Sequence, residues 1–368
     1  MQNGADAVYF GASLFNARAS ATNFDDTSLK KAIDYAKLRN VKAHLTLNTL
    51  IKNNEFEQAL SLANKAYSYG IDAIIVQDLG LARYLIKHFP DLPIHASTQM
   101  SIYNLDGVKK AEQLGFSRVV LAREVPISEI KSICESSSIE IETFLHGALC
   151  MSYSGQCLFS SMIGGRSGNR GKCAQVCRLP YELLENNKII DKGYLLSPKD
   201  VCSLELLPDL INAGVDCFKI EGRMKSPEYV ATVTKIYKKY INMVIEHQQY
   251  FVANTDKKNL MQVFNRGGFS LGHLADSPNF QLVFKEKPNH MGIYLGKVAH
   301  FNANKGYIKL VLNDTVSKLD TISVGSEFGS YTVSELMLDK KNVAVGNCNE
   351  YITIGRVKGN IRNWKQSL

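Results

Sequence analysis

The sequence predicts an α/β fold, a (β/α) barrel followed by a small β-domain, on three observations. Short apolar runs alternate with helix-period segments over the first 250 residues, as in a parallel sheet built from βα units. Polar residues follow nearly every apolar run, and beyond about residue 250 the pattern changes to short strands with glycine turns. The first two observations favour a TIM-type barrel, and the third favours a small antiparallel β-barrel or sandwich.

Eight segments have the apolar character of barrel strands: 5–11, 41–47, 71–76, 94–97, 117–122, 139–145, 194–197 and 215–220. Amphipathic helices are predicted between them, at 29–38, 55–69, 105–114 and 228–247. Gly70, Gly115 and Gly214 each end a helix directly before a strand, as expected of helix C-caps. The first strand begins five residues into the chain and leaves no room for a preceding βα unit. A barrel without its first strand, through truncation or a late start, is therefore expected.

The polar residues after the predicted strands would ring one mouth of a barrel, where the active sites of this fold lie. No glycine-rich phosphate loop follows an early strand, which argues against an open doubly wound sheet. For each polar residue, capping of the next helix is the alternative role. The set comprises Asn48, Gln77, Asp78, Thr98, Gln99, Arg123, Glu124, His146, Lys199, Asp200 and the segment 221–223.

Two domains are predicted. Residues 1–250 form the barrel, with a cysteine-rich insertion at 147–180, and residues 251–368 form a linker and a small β-domain. The boundary is expected near 252–258, and the β-domain strands are expected at 291–298, 306–312, 321–324 and 351–357. No segment approaches the roughly 20 apolar residues of a membrane span, so we expect a cytoplasmic protein that binds no membrane.

The cysteines predict a metal site. In a reducing cytoplasm, eight cysteines favour metal binding or thiol chemistry over a disulfide framework. A glycine-rich loop contains four of them as C-x6-C-x15-C-x3-C, and Cys202 follows after 24 further residues. Soft anionic ligands on a loop that wraps around a metal favour an iron–sulfur cluster. Cys150, Cys157 and Cys173 are the first three candidate ligands, and spacing leaves the fourth open between Cys177 and Cys202.

Two other interpretations of these cysteines stay open. A structural zinc would use the same thiolates, although the C-x2-C pairs of compact tetrahedral sites are absent from this sequence. Buried or redox-reactive thiols are the second alternative, with Cys173 and Cys177 as a dithiol pair. Cys134 and Cys217 lie in helix-like and strand-like segments and are predicted to be buried apolar residues. Cys348 has no cysteine near it in sequence.

The cysteine loop also has the composition of an RNA-binding surface. No acidic residue occurs between Thr143 and Tyr181, and the formal net charge of the chain is +8. Cations interleaved with aromatic residues suit phosphate contact and base stacking in single-stranded RNA. The alternative is a solvated loop whose cations offset the charge of a thiolate-ligated cluster. The candidate RNA-binding residues are Arg166, Arg170, Lys172 and Arg178, accompanied by Tyr153, Phe159 and Tyr181.

Motifs along the whole chain resemble those of the collagenase-like protease family, peptidase family U32, which is classified with unknown catalytic type. They are GADAVYFGA at 4–12, HASTQM at 95–100, HGALCMSYSGQC at 146–157, GKCAQVCR at 171–178, SPKDVC at 197–202, FKIEGRMKSPEYV at 218–230 and FNRGGFSLGHL at 264–274. The resemblance implies a (β/α) barrel with a C-terminal β-domain. Members usually have an extra strand before the GADAVY segment.

The resemblance also implies a chemistry. Several relatives belong to oxygen-independent hydroxylation systems with a four-cysteine iron–sulfur cluster, acting on tRNA uridine, ribosomal RNA cytidine or ubiquinone. By motif, the ligands of a [4Fe–4S] cluster would be Cys150, Cys157, Cys173 and Cys202, with Cys177 as the alternate. In the tRNA branch, which this chain resembles most in type, the hydroxyl source is linked to prephenate.

We therefore predict an RNA-modification enzyme, or a component of one, that hydroxylates a pyrimidine. The leading substrate is the tRNA wobble uridine, converted to 5-hydroxyuridine. Besides RNA, the expected partners are a small carboxylate hydroxyl donor related to prephenate and an electron donor protein. The candidate catalytic residues, which would pair with carboxylates or transfer protons at the mouth, are His146, Arg123, Lys219, Glu221 and Arg223. A structural role in the polar layer of the barrel is the alternative for each.

Two other functions compete with this prediction. A peptidase acting on collagen-like polypeptides would need a nucleophile with its base or a zinc motif. The sequence has no HExxH helix, and its GxSxG pattern, GFSLG at 268–272, does not lie between a predicted strand and a predicted helix as a nucleophile elbow would. A non-catalytic RNA-binding or assembly partner would use the cluster only as a structural element.

Overall fold

The structure is a computed structural model that describes residues 1–275, 282–302, 304–323 and 330–355. The chain divides into two compact units, Met1–Met291 and Gly292–Leu368. The first unit is a mixed α/β fold around a mainly parallel sheet, and the second consists of small antiparallel sheets.

The strands described in the first unit are β1 Ala7–Gly11, β2 Lys42–Leu47, β3 Ala73–Val76, β4 Ile94–Ala96, β5 Arg118–Val120, β6 Glu140–Ala148, β7 Tyr181–Glu185, β8 Lys188–Gly193, β9 Asp200–Cys202, β10 Cys217–Ile220 and β11 Phe269–Ser270. Strands β1 to β6 are neighbours in chain order and all parallel, and β10 pairs in parallel with β6. The carboxyl ends of these strands therefore meet at one edge of the sheet, where ligand sites of α/β folds form.

The sheet is not closed by a backbone ladder between β1 and β10 in the part of the chain that the structure describes. The two strands are connected instead by a side-chain hydrogen bond, in which Tyr9 Oη donates to the carbonyl of Ile220 at 3.2 Å. The parallel central sheet is confirmed, and the sequence located seven of its strands to within a few residues.

The predicted strand at 194–197 is wrong. Its backbone instead pairs with the segment around Lys285, because Tyr194 N donates to Lys285 O and Phe284 N donates to Ser197 O. The strand in this region is β9, which runs antiparallel to the end of β6 and parallel to β11. Strands β7 and β8 form a separate antiparallel hairpin.

The helices of the first unit are α1 Asp26–Lys37, α2 Phe56–Ser68, α3 Leu79–His88, α4 Leu105–Gln113, α5 Ile127–Ser136, α6 Phe159–Gly164, α7 Leu207–Asn212, α8 Pro227–Ile245 and α9 Asn254–Val263. Several begin at a side chain that accepts a backbone N–H of the first turn, which stabilises a helix start. Asp78 caps α3 by accepting from Leu81 N at 2.9 Å. For this residue, the alternative role of helix cap is correct.

The core lies between the sheet and the helices. All four residues of β3 are buried, and α1 and α2 contribute Leu29, Ile33 and Ala63. Helix α8 adds three fully buried tyrosines, Tyr229, Tyr237 and Tyr240. Tyr237 Oη contacts Leu145 O of β6 and Cys202 Sγ of β9, whereas Tyr240 Oη donates to Asp256 of α9.

The predicted boundary near residues 252–258 lies too early, because α9 belongs to the first unit. Leu260 of α9 is completely buried in the same core, and Asp256 accepts hydrogen bonds from Lys239 at 2.7 Å and from Tyr240 at 2.8 Å. The first unit therefore continues past residue 250 to Met291.

The strands described in the second unit are β12 Gly296–Asn302, β13 Tyr307–Leu312, β14 Val316–Ser317, β15 Thr321–Ser323, β16 Ser330–Thr332, β17 Leu336–Leu338, β18 Lys341–Asn342, β19 Val345–Gly346 and β20 Tyr351–Ile354. Five of them form an antiparallel sheet in the order β12-β13-β20-β17-β18 around Ile308, Leu310, Leu336 and Ile352. Small antiparallel sheets were expected here. The predicted strand at 291–298 begins instead at Gly296, and residues 324, 356 and 357 of two predicted strands lie outside the described residues.

None of the helices in the described ranges combines the length and apolar character that crossing a bilayer requires.

Candidate active site

Three arginines interact with one buried carboxylate at the carboxyl ends of the parallel strands. Glu221 directly follows β10 and is only 7% exposed. Its Oε2 lies 3.2 Å from Arg18 of the β1–α1 loop and 3.5 Å from Arg123, which follows β5. Arg223 lies close enough to act on the same carboxylate electrostatically. Three loops thus bring their cations to one anion.

The charge state of Glu221 follows from this arrangement. Burial raises its pKa, but the positive charges of Arg18, Arg223 and Arg123 outweigh burial and lower it to about 2. The carboxylate is therefore ionised at neutral pH and only accepts hydrogen bonds. Its second oxygen, Oε1, is buried without a hydrogen-bond partner in the structure. An unpaired buried oxygen is costly, so this atom marks a position for a donor group of a ligand.

The arginines keep capacity for a second anion. Arg223 Nη1 donates to Thr46 Oγ1 at 3.1 Å, while its Nε is buried and lacks a partner in the structure. The guanidinium carbon of Arg123 lies over Phe144, 3.9 Å from the ring centroid. Three guanidinium groups against one carboxylate leave positive charge in excess, and guanidinium groups bind carboxylates in bidentate geometry. This group of side chains, called the arginine pocket below, is suited to an anionic small molecule.

Lys219 lies deeper in the sheet and is committed to another carboxylate. Its Nζ is 2.7 Å from Glu142 Oε1, and Arg118 Nη1 is 3.0 Å from Glu142 Oε2. Burial by itself raises the pKa of Glu142, but Lys219 and Arg118 together outweigh burial and lower this pKa to about 2. The alternative role predicted for Lys219, a member of a structural polar layer, fits this geometry, although its Nζ lies 4.4 Å above the Tyr9 ring and so borders the pocket.

His146 does not join the Glu221 group of ion pairs. Its ring packs against Phe269 and Tyr237, and its Nδ1 lies 3.3 Å from Tyr237 Oη. Burial lowers its pKa to about 3, so the imidazole is neutral. The orientation of the His146 side chain follows from a register shift in the pairing of β10 with β6. Lys219 pairs with Phe144, whereas the next residue, Ile220, pairs with His146. The shift breaks the alternation of faces and turns His146 toward α8.

Four cysteines of the loop share one electrostatic environment. The thiol of Cys177 interacts with those of Cys150, Cys173 and Cys157, and Cys150 interacts with Cys157 and Cys173. Desolvation by surrounding protein atoms raises the pKa of Cys150 and Cys177, although Cys150 keeps an exposed face at the rim. Among the residues that the structure describes, no three His, Cys, Asp or Glu side chains are arranged to hold a metal ion.

Cys202 lies in a different environment. It stands opposite His146 in the β6–β9 ladder, and directly opposite residues of an antiparallel pair point to the same face. Its Sγ accepts from Tyr237 Oη at 3.5 Å, and its charged neighbours are Glu205 and Lys257. Helix α8 therefore faces the Cys202 thiol, whereas the other four cysteines lie on the loop.

The cysteine loop and the arginine pocket adjoin each other. Arg18 interacts with Glu221 and, more weakly, with Cys173 and Cys150. Arg123 likewise interacts with Glu221 and with Cys150. Two arginines thus act electrostatically on both the buried carboxylate and the thiols, which joins the two groups in a single candidate active site at the carboxyl ends of the strands.

Comparison with known proteins identifies the family. The model of peptidase family U32 matches residues 1–283. The chain belongs to peptidase family U32. A 23S rRNA 5-hydroxycytidine C2501 synthase of Escherichia coli is 35% identical over 339 residues, which are 88% of this chain and 50% of that protein. The chain thus spans about half the length of this relative.

Two further U32 relatives have different names. An uncharacterized protease of Methanocaldococcus jannaschii is 34% identical over 369 residues, or 95% of this chain and 90% of that protein. The tRNA hydroxylation protein P1 of Bacillus subtilis is 36% identical over 261 residues, or 69% of this chain and 62% of that protein. Both functional labels expected from the sequence motifs, protease and RNA hydroxylation, therefore occur among the relatives.

The structure separates the four candidate RNA-binding residues of this U32 chain. Arg166 and Lys172 are exposed. Arg170 pairs with Glu55 at 2.6 Å. Arg178 donates to Ser197 Oγ at 2.7 Å, to Leu149 O at 3.1 Å and to the carbonyl of Pro198. Its guanidinium group joins the start of the cysteine loop to the segment before β9, so these donors are used within the protein.

Two site residues were missed by the sequence analysis. Arg18 follows β1 by seven positions and Tyr9 lies within β1. Arg18 lies in the β1–α1 loop, so the same pattern that located the other residues, a polar side chain after a strand, also applies to it. Tyr9 carried no signal beyond the inward alternation of a strand.

Proposed function

We propose that this chain hydroxylates a pyrimidine of RNA without molecular oxygen, with the tRNA wobble uridine, converted to 5-hydroxyuridine, as its substrate. The observation that carries the proposal is that Arg18 and Arg123 pair with the buried Glu221 and also interact electrostatically with thiols of the cysteine loop. Relatives named for rRNA and tRNA hydroxylation support the RNA substrate. The site contains donors for a metal cluster and cations for a small anion, the two components that such a reaction requires.

An iron–sulfur cluster, [4Fe–4S] in type, belongs to the proposal. The residues fit such a group in donor chemistry, since thiolates are its usual ligands, and in charge, since Arg18, Arg123 and Arg178 lie near the thiols. Cys150, Cys157 and Cys173 would hold it, and their shared environment with Cys177 favours Cys177 over Cys202 as the fourth ligand. When bound, the cluster would supply electrons or Lewis acidity.

The remaining site residues bind and orient the reactants. Arg223, Arg123 and Arg18 pair with the carboxylates of a small hydroxyl donor, related to prephenate in chemistry. Glu221 Oε1 accepts a hydrogen bond from a hydroxyl of that donor or from a base N–H. Tyr9 Oη bridges β1 and β10 beside the pocket, which supports a barrel-like closure of the sheet. Converting a pyrimidine C–H to C–OH removes two electrons, which the hydroxyl donor takes up as it gives up its oxygen; the expected electron donor protein would set the redox state of the cluster.

The cluster is tested by anaerobic reconstitution with iron and sulfide, followed by metal analysis, absorption and electron paramagnetic resonance spectra. Cys150→Ser, Cys157→Ser and Cys173→Ser should each lose the cluster signal. Cys177→Ser and Cys202→Ser decide the fourth ligand, because only one of them should lose it. Cys348→Ser, an exposed thiol of the second unit, is the matched control. A reconstituted protein with zinc alone or no metal would refute the cluster.

The reaction is tested in cells by mass spectrometry of nucleosides from digested tRNA and rRNA. Deletion of the gene should remove 5-hydroxyuridine and its derivatives from tRNA, and the wild-type gene, but not Arg223→Gln, should restore them. Loss of 5-hydroxycytidine from rRNA instead would reassign the substrate. Retention of every such nucleoside, in a strain without a paralogue, would contradict the proposal. A gelatin-cleavage assay tests the protease label of the archaeal relative.

A further inference from the structure

Two tyrosines project from the rim of the candidate site into solvent. Tyr153 is 66% exposed and Tyr103 is 55% exposed. One sequence neighbour of each tyrosine is buried, since Ser154 is 3% exposed and Ile102 is 8% exposed. Each ring is thus exposed directly beside a residue that is fixed in the protein. We call Tyr103 and Tyr153 the tyrosine rim.

The backbone beneath the tyrosine rim is held in place by hydrogen bonds. Ser154 donates twice to Glu124 Oε1, from its N–H at 3.1 Å and from its hydroxyl at 3.2 Å, and it accepts from Arg123 N at 3.2 Å. Ser101 donates to the carbonyl of Ser154 and accepts from Gln156 at 2.7 Å. These bonds join the segment with Tyr153 to the segment with Tyr103.

A glycine fixes the same contact more closely. Gly155 has φ +76°, and a Cβ on it would lie 2.2 Å from the carbonyl oxygen of Gln99. The loop therefore packs backbone to backbone against the segment after β4. The exposed rings are thus carried on a preorganised backbone, and preorganised groups lose little entropy on binding.

Charge around the tyrosine rim favours a polyanion. Arg166 and Lys172 are exposed on the same loop, and no acidic residue occurs from 143 to 181. Tyr153 also lies between Cys150 and Cys157 in the chain, and the next residue, Ser154, accepts a hydrogen bond from the backbone of Arg123 of the candidate active site. Exposed aromatics in a cationic setting are the structural requirement for binding single-stranded nucleic acid.

We propose that the tyrosine rim, with Arg166 and Lys172, binds the single-stranded part of an RNA substrate by stacking bases on Tyr103 and Tyr153. The choice of RNA as the ligand rests on the proposed function. Stacking is sequence-tolerant, so the tyrosine rim holds the strand near the site and does not select the modified base. Arg170 and Arg178 are excluded from this surface, because their guanidinium groups bind within the protein.

The test is fluorescence anisotropy of the full chain with a short labelled oligouridylate. Tyr103→Ala and Tyr153→Ala should each weaken binding roughly 5- to 150-fold, the range that corresponds to one lost base–aromatic stack. Tyr153→Phe keeps the ring and should bind like the wild type. Tyr351→Ala removes a tyrosine of similar exposure, 68%, from the second unit and should have no effect.

The cations are tested by salt dependence. Replacing Arg166 and Lys172 with Gln should reduce the slope of log affinity against log salt by about 1.4, at about 0.7 for each lost phosphate contact of a single strand. Lys109→Gln with Lys110→Gln on α4 removes the same charge and should leave the slope unchanged. Equal slopes for both double variants would overturn the role of the cations.

Other outcomes separate this proposal from the hydroxylase. Rim variants that bind the oligouridylate like the wild type would overturn the rim whatever the reaction is. Loss of a copurifying protein, without any RNA binding by the wild type, would reassign the rim to a protein partner. If a deletion strain keeps all modified nucleosides, the hydroxylase fails, and the rim is still decided by the anisotropy alone.

Discussion

The buried carboxylate of Glu142 gives the sharpest stability prediction. Glu142 is 3% exposed, and its carboxylate pairs with Lys219 at 2.7 Å and with Arg118 at 3.0 Å. Glu142→Gln leaves Lys219 buried without a carboxylate and leaves Arg118 with only the exposed Glu140, and removing one partner of a buried ion pair costs about 3–5 kcal/mol. We expect a loss of unfolding free energy of that size at pH 6.

The pH dependence of this loss follows from linkage. The pKa of Glu142 is 4.5 in its ordinary state and about 2 in the folded protein. At about 1.36 kcal/mol per pKa unit, the ionised pair contributes about 3.4 kcal/mol, present above pH 4.5 and lost as pH falls through 2. Between pH 6 and pH 3.5 about 1.4 kcal/mol of it disappears. The difference between wild type and Glu142→Gln should shrink by that amount.

Urea unfolding monitored by circular dichroism at both pH values measures the difference directly. Glu140→Gln is the control, because Glu140 pairs with the same Arg118 at 2.6 Å but is 51% exposed in its side chain. An exposed pair contributes at most about 1 kcal/mol. If Glu142→Gln costs no more than the control, or costs the same at pH 6 and pH 3.5, the interpretation of Glu142 as a buried ion is wrong.

Three further predictions concern single positions around the site. Gly147→Ala should destabilise the protein by about 1–3 kcal/mol in urea, because φ is +119° and the new Cβ would lie 2.9 Å from the Cβ of Glu221; full stability would contradict this. In His146→Phe, the free energy of unfolding should fall about 2 kcal/mol less between pH 7 and pH 5 than in the wild type. The reason is that the imidazole, with its pKa lowered to about 3, is neutral in the folded protein and gains a proton only on unfolding. An equal fall in both proteins would mean that the imidazole titrates in the folded state. Arg178→Gln should cost about 2–4 kcal/mol through its lost hydrogen bonds and leave RNA affinity unchanged; weaker binding at full stability would restore it as an RNA contact.

The parallel strands were predictable because a strand covered on both faces must be apolar throughout. The four buried residues of β3 show this directly. Strand β9 escaped prediction for the opposite reason, since it has three residues and begins with the buried Asp200. Asp200 is held there by Arg266 and by Lys225 at 3.5 Å, and both of these partners are distant in sequence. Composition within a short window does not report such partners.

The same limit explains which site residues were found. Polar residues that follow a strand are expected at the carboxyl edge of the sheet, and this expectation locates Glu221, Arg123 and Arg223. His146 also follows this rule, but the register shift in β6 turns its ring to the opposite face. Register depends on hydrogen bonding between strands, so the sequence of β6 alone does not determine it.

The fourth-ligand question follows from that register. Cys202 is paired with His146, so both side chains face α8 and share Tyr237 as a neighbour. Cys202 is held in the β6–β9 ladder, whereas Cys177 lies on the loop and interacts electrostatically with the other three thiols. The family motif and the local geometry thus make opposite predictions, and a pair of serine variants separates them.

Arg18 and Arg123 act on two negative groups at once, which determines how the site can be dissected. Each interacts with Glu221 and with the Cys150 thiol. An anion in the arginine pocket and thiolates on the loop would therefore be stabilised by the same positive charges. Removing Arg18 or Arg123 perturbs both. Arg223 interacts with Tyr9, Glu221 and Arg18, and no thiol is among its principal charged neighbours. Arg223→Gln is consequently the variant that tests anion binding while leaving the surroundings of the cysteines unchanged.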